Sequence, residues 1–175
     1  MNTMNITPAF RYRFSDMVKS VAIFYVIMAI VMVGVIWGVS YTVSRGNEVS
    51  GSLSAFVLAA AITLFVIGIC TIREDMRLML QNGIGRRTIL VAELLTTLSV
   101  SMLLAIGGEL LTAIGQALTS SQSGLLITDF YQILYTDGIN HSLTLGEHFE
   151  SIVLAFGIYT CTNLAGMFIS LLFYR

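Results

Sequence analysis

Two carboxylates stand where an apolar chain would normally carry none. Glu93 and Glu109 both fall inside the apolar stretch from about Ile89 to Leu118, and a charge at membrane depth costs at least about 2.5 kcal/mol unless it is paired or hydrated. Sixteen positions of helix place their alpha carbons about 24 Å apart, less than the roughly 30 Å of a bilayer's hydrocarbon. They cannot both sit comfortably outside it. Glu93 is close enough to the start of the stretch to snorkel toward Arg86 or the headgroups. Glu109 follows Gly107-Gly108, where a helix can bend. Two readings stay open for it: a protein-lined or wet position in the outer half, or an interfacial position on a protruding helix. In the first, Glu109 is a titrating group for ion or proton coupling. The run Thr160-Cys161-Thr162-Asn163 is polar for a lipid-facing helix and should face neighbouring helices. Thr160 and Asn163 join Glu109 as candidates for a translocation path.

Other polar clusters have simpler readings. His141, Glu147, His148 and Glu150 lack the spacing of HExxH or a comparable metal-ligand set. Thr144-Leu-Gly-Glu147 instead reads as a capping box that starts the last helix. Gly83-Ile-Gly-Arg-Arg-Thr88 has neither the spacing nor the lysine of a phosphate loop, and no G-x-S-x-G elbow or defensible Ser/Lys or Cys/His pairing occurs. The expectation is a chain that is not an enzyme and needs no cofactor or metal of its own. Cys70 and Cys161 fall within apolar stretches and read as small apolar fillers.

The densest charge lies in IREDMRLMLQNGIGRRT, residues 72–88. Ile72, Met76, Met79 and Leu80 share one helical face and Arg73 and Arg77 another, while Asn82-Gly83 supplies a left-handed stop. The segment reads as a short amphipathic helix, a tight turn, and then Arg86-Arg87 anchoring the next span.

The elements that position these residues follow from composition. Of 175 residues, 56% are hydrophobic and 11% charged, with one proline and a mean hydropathy of +0.85. Lipid must be part of the solvent. Four stretches reach the roughly 20 residues that a transmembrane helix needs: 20–43, 53–72, 89–118 and 152–173. Arg11, Arg13, Lys19, Arg73, Arg77, Arg86, Arg87 and Arg175 fall on one side of the alternating spans and only Arg45 on the other. The positive-inside rule then places both termini and the 73–88 loop in the cytoplasm, and the 119–151 loop outside. The expected fold is all-α: a single polytopic bundle of about four transmembrane helices with short amphipathic helices at the interfaces.

Smaller features fill in that frame. Thr7-Pro8 resembles a helix start, and Phe10, Phe14 and Val18 recur opposite Arg11 and Lys19, describing either an interfacial helix or the first turns of span one. Gly34 and Gly38, and Ala55 and Ala59, are small-xxx-small pairs suited to close helix packing. Outside, Ser123 is positioned to cap a helix with Leu126, Ile127, Phe130, Tyr131 and Leu134 on one face, ended by Asp137-Gly138.

The stretch REDMRLMLQNGIGRRTIL, after TPAFRY and two spans, together with the closing ISLLFYR, resembles the permease subunits of type-two ABC exporters from Gram-positive bacteria. The resemblance covers most of the chain but rests mainly on QNGIGRRT. It implies a multi-pass protein of the bacterial cell membrane, working with a second membrane subunit and a separate ABC ATPase that binds the ATP; nucleic acid is not an implied partner. It also implies a coupling helix, a role falling on Arg73, Glu74, Met76, Arg77, Met79 and Leu80, with Gly83, Arg86 and Arg87 in the turn toward span three. Such permeases usually have six spans, so a chain ending at Arg175 after four is expected to be truncated. Two competitors come from the residues themselves: an ion- or proton-coupled carrier using Glu109, and a non-transporting structural or immunity-type membrane protein.

Overall fold

The computed structural model describes residues 6–45, 51–53, 56–119, 125–127, 130–135 and 144–173; for Val43, 51–53, 71–75, Thr119, 125–127 and Phe130 it describes the backbone only. Four long helices make the body: α1 (Ile6–Ser44), α2 (Phe56–Gln81), α3 (Arg86–Thr119) and α5 (Leu145–Leu172). A short α4 (Phe130–Tyr135) lies between α3 and α5. By length and composition α1, α3 and α5 can each cross a membrane, and α2 contributes a shorter apolar segment, Phe56–Cys70. The chain is an all-α membrane-type bundle.

The apolar residues that point outward confirm which solvent this surface suits. Ile23, Ile30, Trp37, Ile62, Leu110, Val153 and Phe168 are all at least half exposed, an arrangement that water would penalise and acyl chains do not. Inside, α2 packs chiefly on α5, α1 on α3, and α3 on α5. One core cluster gathers Met17, Val21, Leu64, Val100, Leu104 and Tyr159, and a second, at the basic end, gathers Ala9, Met76, Met79, Ile89 and Met167.

Close approach comes from glycines other than the small-xxx-small pairs. A Cβ on Gly166 would sit 2.4 Å from the Phe65 carbonyl oxygen, and one on Gly68 would sit 2.7 Å from that of Asn163. The backbones of α2 and α5 therefore touch where both lack a side chain. Gly34 and Gly38 have nothing within 4 Å of a Cβ, so the GxxxG pair packs nothing in this chain; Ala55 lies outside the described residues. Gly107 does not bend α3, which runs unbroken through it. It leaves room for Tyr25, whose hydroxyl would lie 2.6 Å from an added Cβ and donates to the Leu104 carbonyl at 2.6 Å.

One open reading is decided and two local expectations change. Residues 7–19 are the first turns of α1 rather than a separate interfacial helix, because Ala9, Arg13 and Met17 bury themselves against the bundle in continuous helical register. Residues 73–81 are the last turns of α2, with no helix of their own. Between α3 and α5 the helix expected from residue 123 is shorter. Leu125–Ile127 form a strand, β2, paired in parallel with β1 (Gly51–Leu53), and only Phe130–Tyr135 are helical. A short apolar run is ambiguous between helix and strand, and a pairing partner decided it. Ser123 and Asp137-Gly138 lie outside the described residues.

Candidate functional site

The polar residues form a ladder up the bundle from its basic end. At the bottom is the α2–α3 turn. Ile84 N–H donates to the Met79 carbonyl and Gly83 N–H to Leu80, with Gly83 at φ 76°. This is a Schellman ending, in which glycine takes the left-handed position and the residue after it packs back on the helix. Ile84 does so, against the cluster of Met79 and Ile89.

The residues expected to contact an ATPase divide sharply. Arg77, Gly83, Arg86 and Arg87 are exposed, whereas Met76 and Met79 are buried inside the chain and Leu80 is half-buried. Met76 and Met79 anchor the hairpin and offer no docking surface. The side chains of Arg73 and Glu74 lie outside the described residues.

About two turns above, Arg13 of α1 meets Glu93 of α3, Nε to Oε1 at 2.7 Å, with their side chains 1% and 2% exposed. Glu93 therefore does not snorkel toward Arg86. The guanidinium reaches it from a different helix and neutralises the charge in place, which a carboxylate at depth requires. Sequence spacing pointed to Arg86 because it lies on the same helix. The only signal for Arg13 was its position on the Ala9–Met17 stripe.

Midway lies a seam of small polar groups. Asn163, fully buried on α5, donates from Nδ2 to Thr97 Oγ1 at 3.2 Å, and the Thr97 hydroxyl faces Met167 Sδ at 3.5 Å. Ser170 donates to the Ile69 carbonyl at 2.8 Å. Asn163 thus joins α3 to α5 beside the Gly68 crossing, as the expectation that it faces its neighbours required. Thr160 is half-buried, on the same helix but apart from that contact.

Near the opposite end Glu109 is held by α5. Its Oε1 lies 2.5 Å from His148 Nδ1, and its Oε2 accepts from Ser151 Oγ at 2.9 Å. Glu109 is 12% exposed and His148 32%, so the pair sits at the edge of the protein interior. Behind it a cavity of about 20 Å³ is lined by Tyr25, Glu109, Thr112 and Tyr159 among apolar side chains, room for about one water. Of the three path candidates, Glu109 lies roughly 18 Å along α3 from the level of Asn163, and no cavity found among the described residues joins them.

In the sequence His148 stands only among residues without metal-ligand spacing; its partner Glu109 is 39 residues away on another helix. The capping-box reading of Glu147 holds: its Oε2 accepts from Thr144 N–H at 2.6 Å and from Thr144 Oγ1 at 2.9 Å. One turn further, Glu150 accepts from Tyr131 of α4 at 2.5 Å. The carboxylate pushes the Tyr131 phenol up to about 12, because ionising it would break that bond and set two negative charges together.

Comparisons with family models, with curated proteins and with solved structures found no match.

Proposed function

We propose that this chain is the membrane-spanning permease subunit of an ATP-driven exporter, energised by a separate ABC ATPase docked on the α2–α3 turn. The observation that supports this reading is the two-sided character of that turn. Arg77, Arg86 and Arg87 are exposed, while Met76, Met79, Ile84 and Ile89 fasten the hairpin to the core. A partner's acidic surface would find three guanidiniums, and its movement would be transmitted rather than absorbed. Both legs of the hairpin pack on α5, and α3 packs on α1 as well. Force at the turn therefore reaches every helix of the bundle.

By the positive-inside rule the basic end would face the cytoplasm, where ATP is, and the resemblance supplies the bacterial setting. The resemblance of QNGIGRRT supplies the partner's class, and hydrolysis falls to that partner. A second membrane subunit completes the path. The test is co-expression with each candidate ABC ATPase of the same genome, followed by detergent extraction and affinity capture. Association is expected for the native chain and is lost in R86E/R87E, while M76L, which keeps the anchor, retains it. Failure of the native chain to associate refutes the reading.

One observation favours a second reading. Glu109, held by a histidine and a serine beside a water-sized cavity, would serve as the proton site of an ion-coupled carrier. That reading predicts gradient-driven uptake into vesicles without ATP, abolished by Glu109→Gln. Transport that persists in that variant rules it out.

A further inference from the structure

The Arg13–Glu93 and Tyr25–Leu104 contacts offset α1 and α3 by about 80 residues. Ser15 is then level with Leu95, and Lys19 with Ser99. At this level α3 turns Leu94, Leu95 and Leu98 outward, each 45–46% exposed, and the Thr97–Asn163 contact puts the lower part of α5, with outward Phe168, beside it. Those surfaces suit acyl chains. Across the bundle, at the same depth, the outward face of α1 carries Arg11, Ser15, Asp16 and Lys19, all exposed.

Charges facing hydrocarbon are costly. Long side chains such as Arg11 and Lys19 can snorkel toward the basic end, but Asp16 has a single methylene and cannot. Something polar must therefore reach this depth beside α1. These residues, with Thr7, Pro8 and Tyr12, line a shallow, open groove of about 580 Å³ along this one face of α1.

We infer that this groove binds the headgroup of an anionic phospholipid and draws the leaflet at the basic end inward beside α1. Two cations against one anion leave a single net positive charge, the complement of one phosphodiester. Ser15 and Tyr12 offer hydroxyl donors to its oxygens. Toward the opposite end the same side of α1 becomes apolar at Ile23, Val26, Ile27 and Ile30, which accommodates the acyl chains of the same molecule. The stretch from Arg11 to Lys19 sets the local thinning at about 12 Å. The inference is independent of the transport reading, because it rests on the relative depth of α1 and α3.

The test reconstitutes the full chain in phosphatidylcholine vesicles containing phosphatidylglycerol. A single tryptophan is placed at position 15 or 95 (S15W or L95W) in a W37F background, which removes the native one. Nitroxide on the lipid headgroup is expected to quench the probe at 15 more strongly than nitroxide deep in the acyl chain, and the order reverses at 95. Quenching at 15 dominated by the acyl-chain label overturns the proposal, as does absence of quenching by either label, which would mean a protein surface covers the groove. A second measurement leaves the groove's shape intact. The native chain should prefer spin-labelled phosphatidylglycerol over spin-labelled phosphatidylcholine, and R11Q/K19Q, which removes two cations, should cut that preference at least about tenfold. An unchanged preference, or its displacement by inorganic phosphate, refutes a lipid site.

Discussion

The buried pair of Arg13 and Glu93 makes the sharpest prediction, because the two residues stand or fall together. Both side chains are at least 98% buried, so removing one leaves its partner charged in a medium that cannot solvate it. Breaking a buried pair in this way costs about 3–5 kcal/mol, whereas replacing both members by apolar groups of similar volume is often neutral or stabilising. R13M and E93L should each lower the thermal midpoint in mild detergent by roughly 10 °C, on the usual scaling for a chain of this size. The double variant R13M/E93L should recover to within about 1 kcal/mol of the native chain. The assay is a double-mutant cycle read by fluorescence-detected gel filtration after heating, with reversible unfolding in mixed micelles for the free energies. The cycle isolates the coupling between the two charges from their separate packing. A coupling below about 0.5 kcal/mol, with the double variant as damaged as the sum of the singles, would refute the claim that charge neutralisation at depth holds α1 to α3.

Other perturbations follow from single contacts. Gly166→Leu should separate α2 from α5 and destabilise the bundle by about 3 kcal/mol, the upper end of the usual overpacking cost, because its Cβ alone would strike the Phe65 carbonyl; the same thermal assay reads it, and a tolerated leucine would disprove the close crossing. Glu109→Gln should cost about 1–3 kcal/mol of the link between α3 and α5 and raise hydrogen exchange in the first two turns of α5, leaving the basic end unchanged. Tyr131 titrates with its folded value raised above the usual 10. Its bond to Glu150 therefore stabilises fully below pH 10 and is lost as pH rises toward 12. Phenolate absorbance should show one tyrosine moving down toward the ordinary range in E150Q, and an unchanged titration would contradict the bond.

The helices were legible because membrane spans are written in runs of apolar residues and their ends in short-range chemistry. The Asn82-Gly83 stop and the Thr144–Glu147 box both form as their spacing required. The strands were not legible: Leu125–Ile127 carries no pattern that distinguishes extended from helical backbone, and its partner Gly51–Leu53 is more than 70 residues distant. The GxxxG motif misled for a related reason. Small residues permit close approach but do not compel it, and Gly34 and Gly38 face outward while Gly68 and Gly166, with no motif between them, meet across a helix crossing.

The candidate site divides along the same line. Sequence reasoning found which residues are expensive, Glu93, Glu109 and Asn163, since cost at depth depends on residue type alone. It did not find what relieves them. Arg13, His148 and Thr97 each lie on another helix, at separations of 39 to 80 residues that no periodicity encodes. Each relief is nevertheless of the chemical kind that the cost demands: a cation for one carboxylate, a histidine and a hydroxyl for the other, a hydroxyl for the amide. In a bundle where apolar packing gives little preference among partners, these three contacts set the register of α1 against α3 and of α3 against α5. That register is what brings the polar face of α1 to the depth of the leucines on α3. The most local feature of the sequence, four polar residues near one end, thus acquires its meaning only from the longest-range contacts.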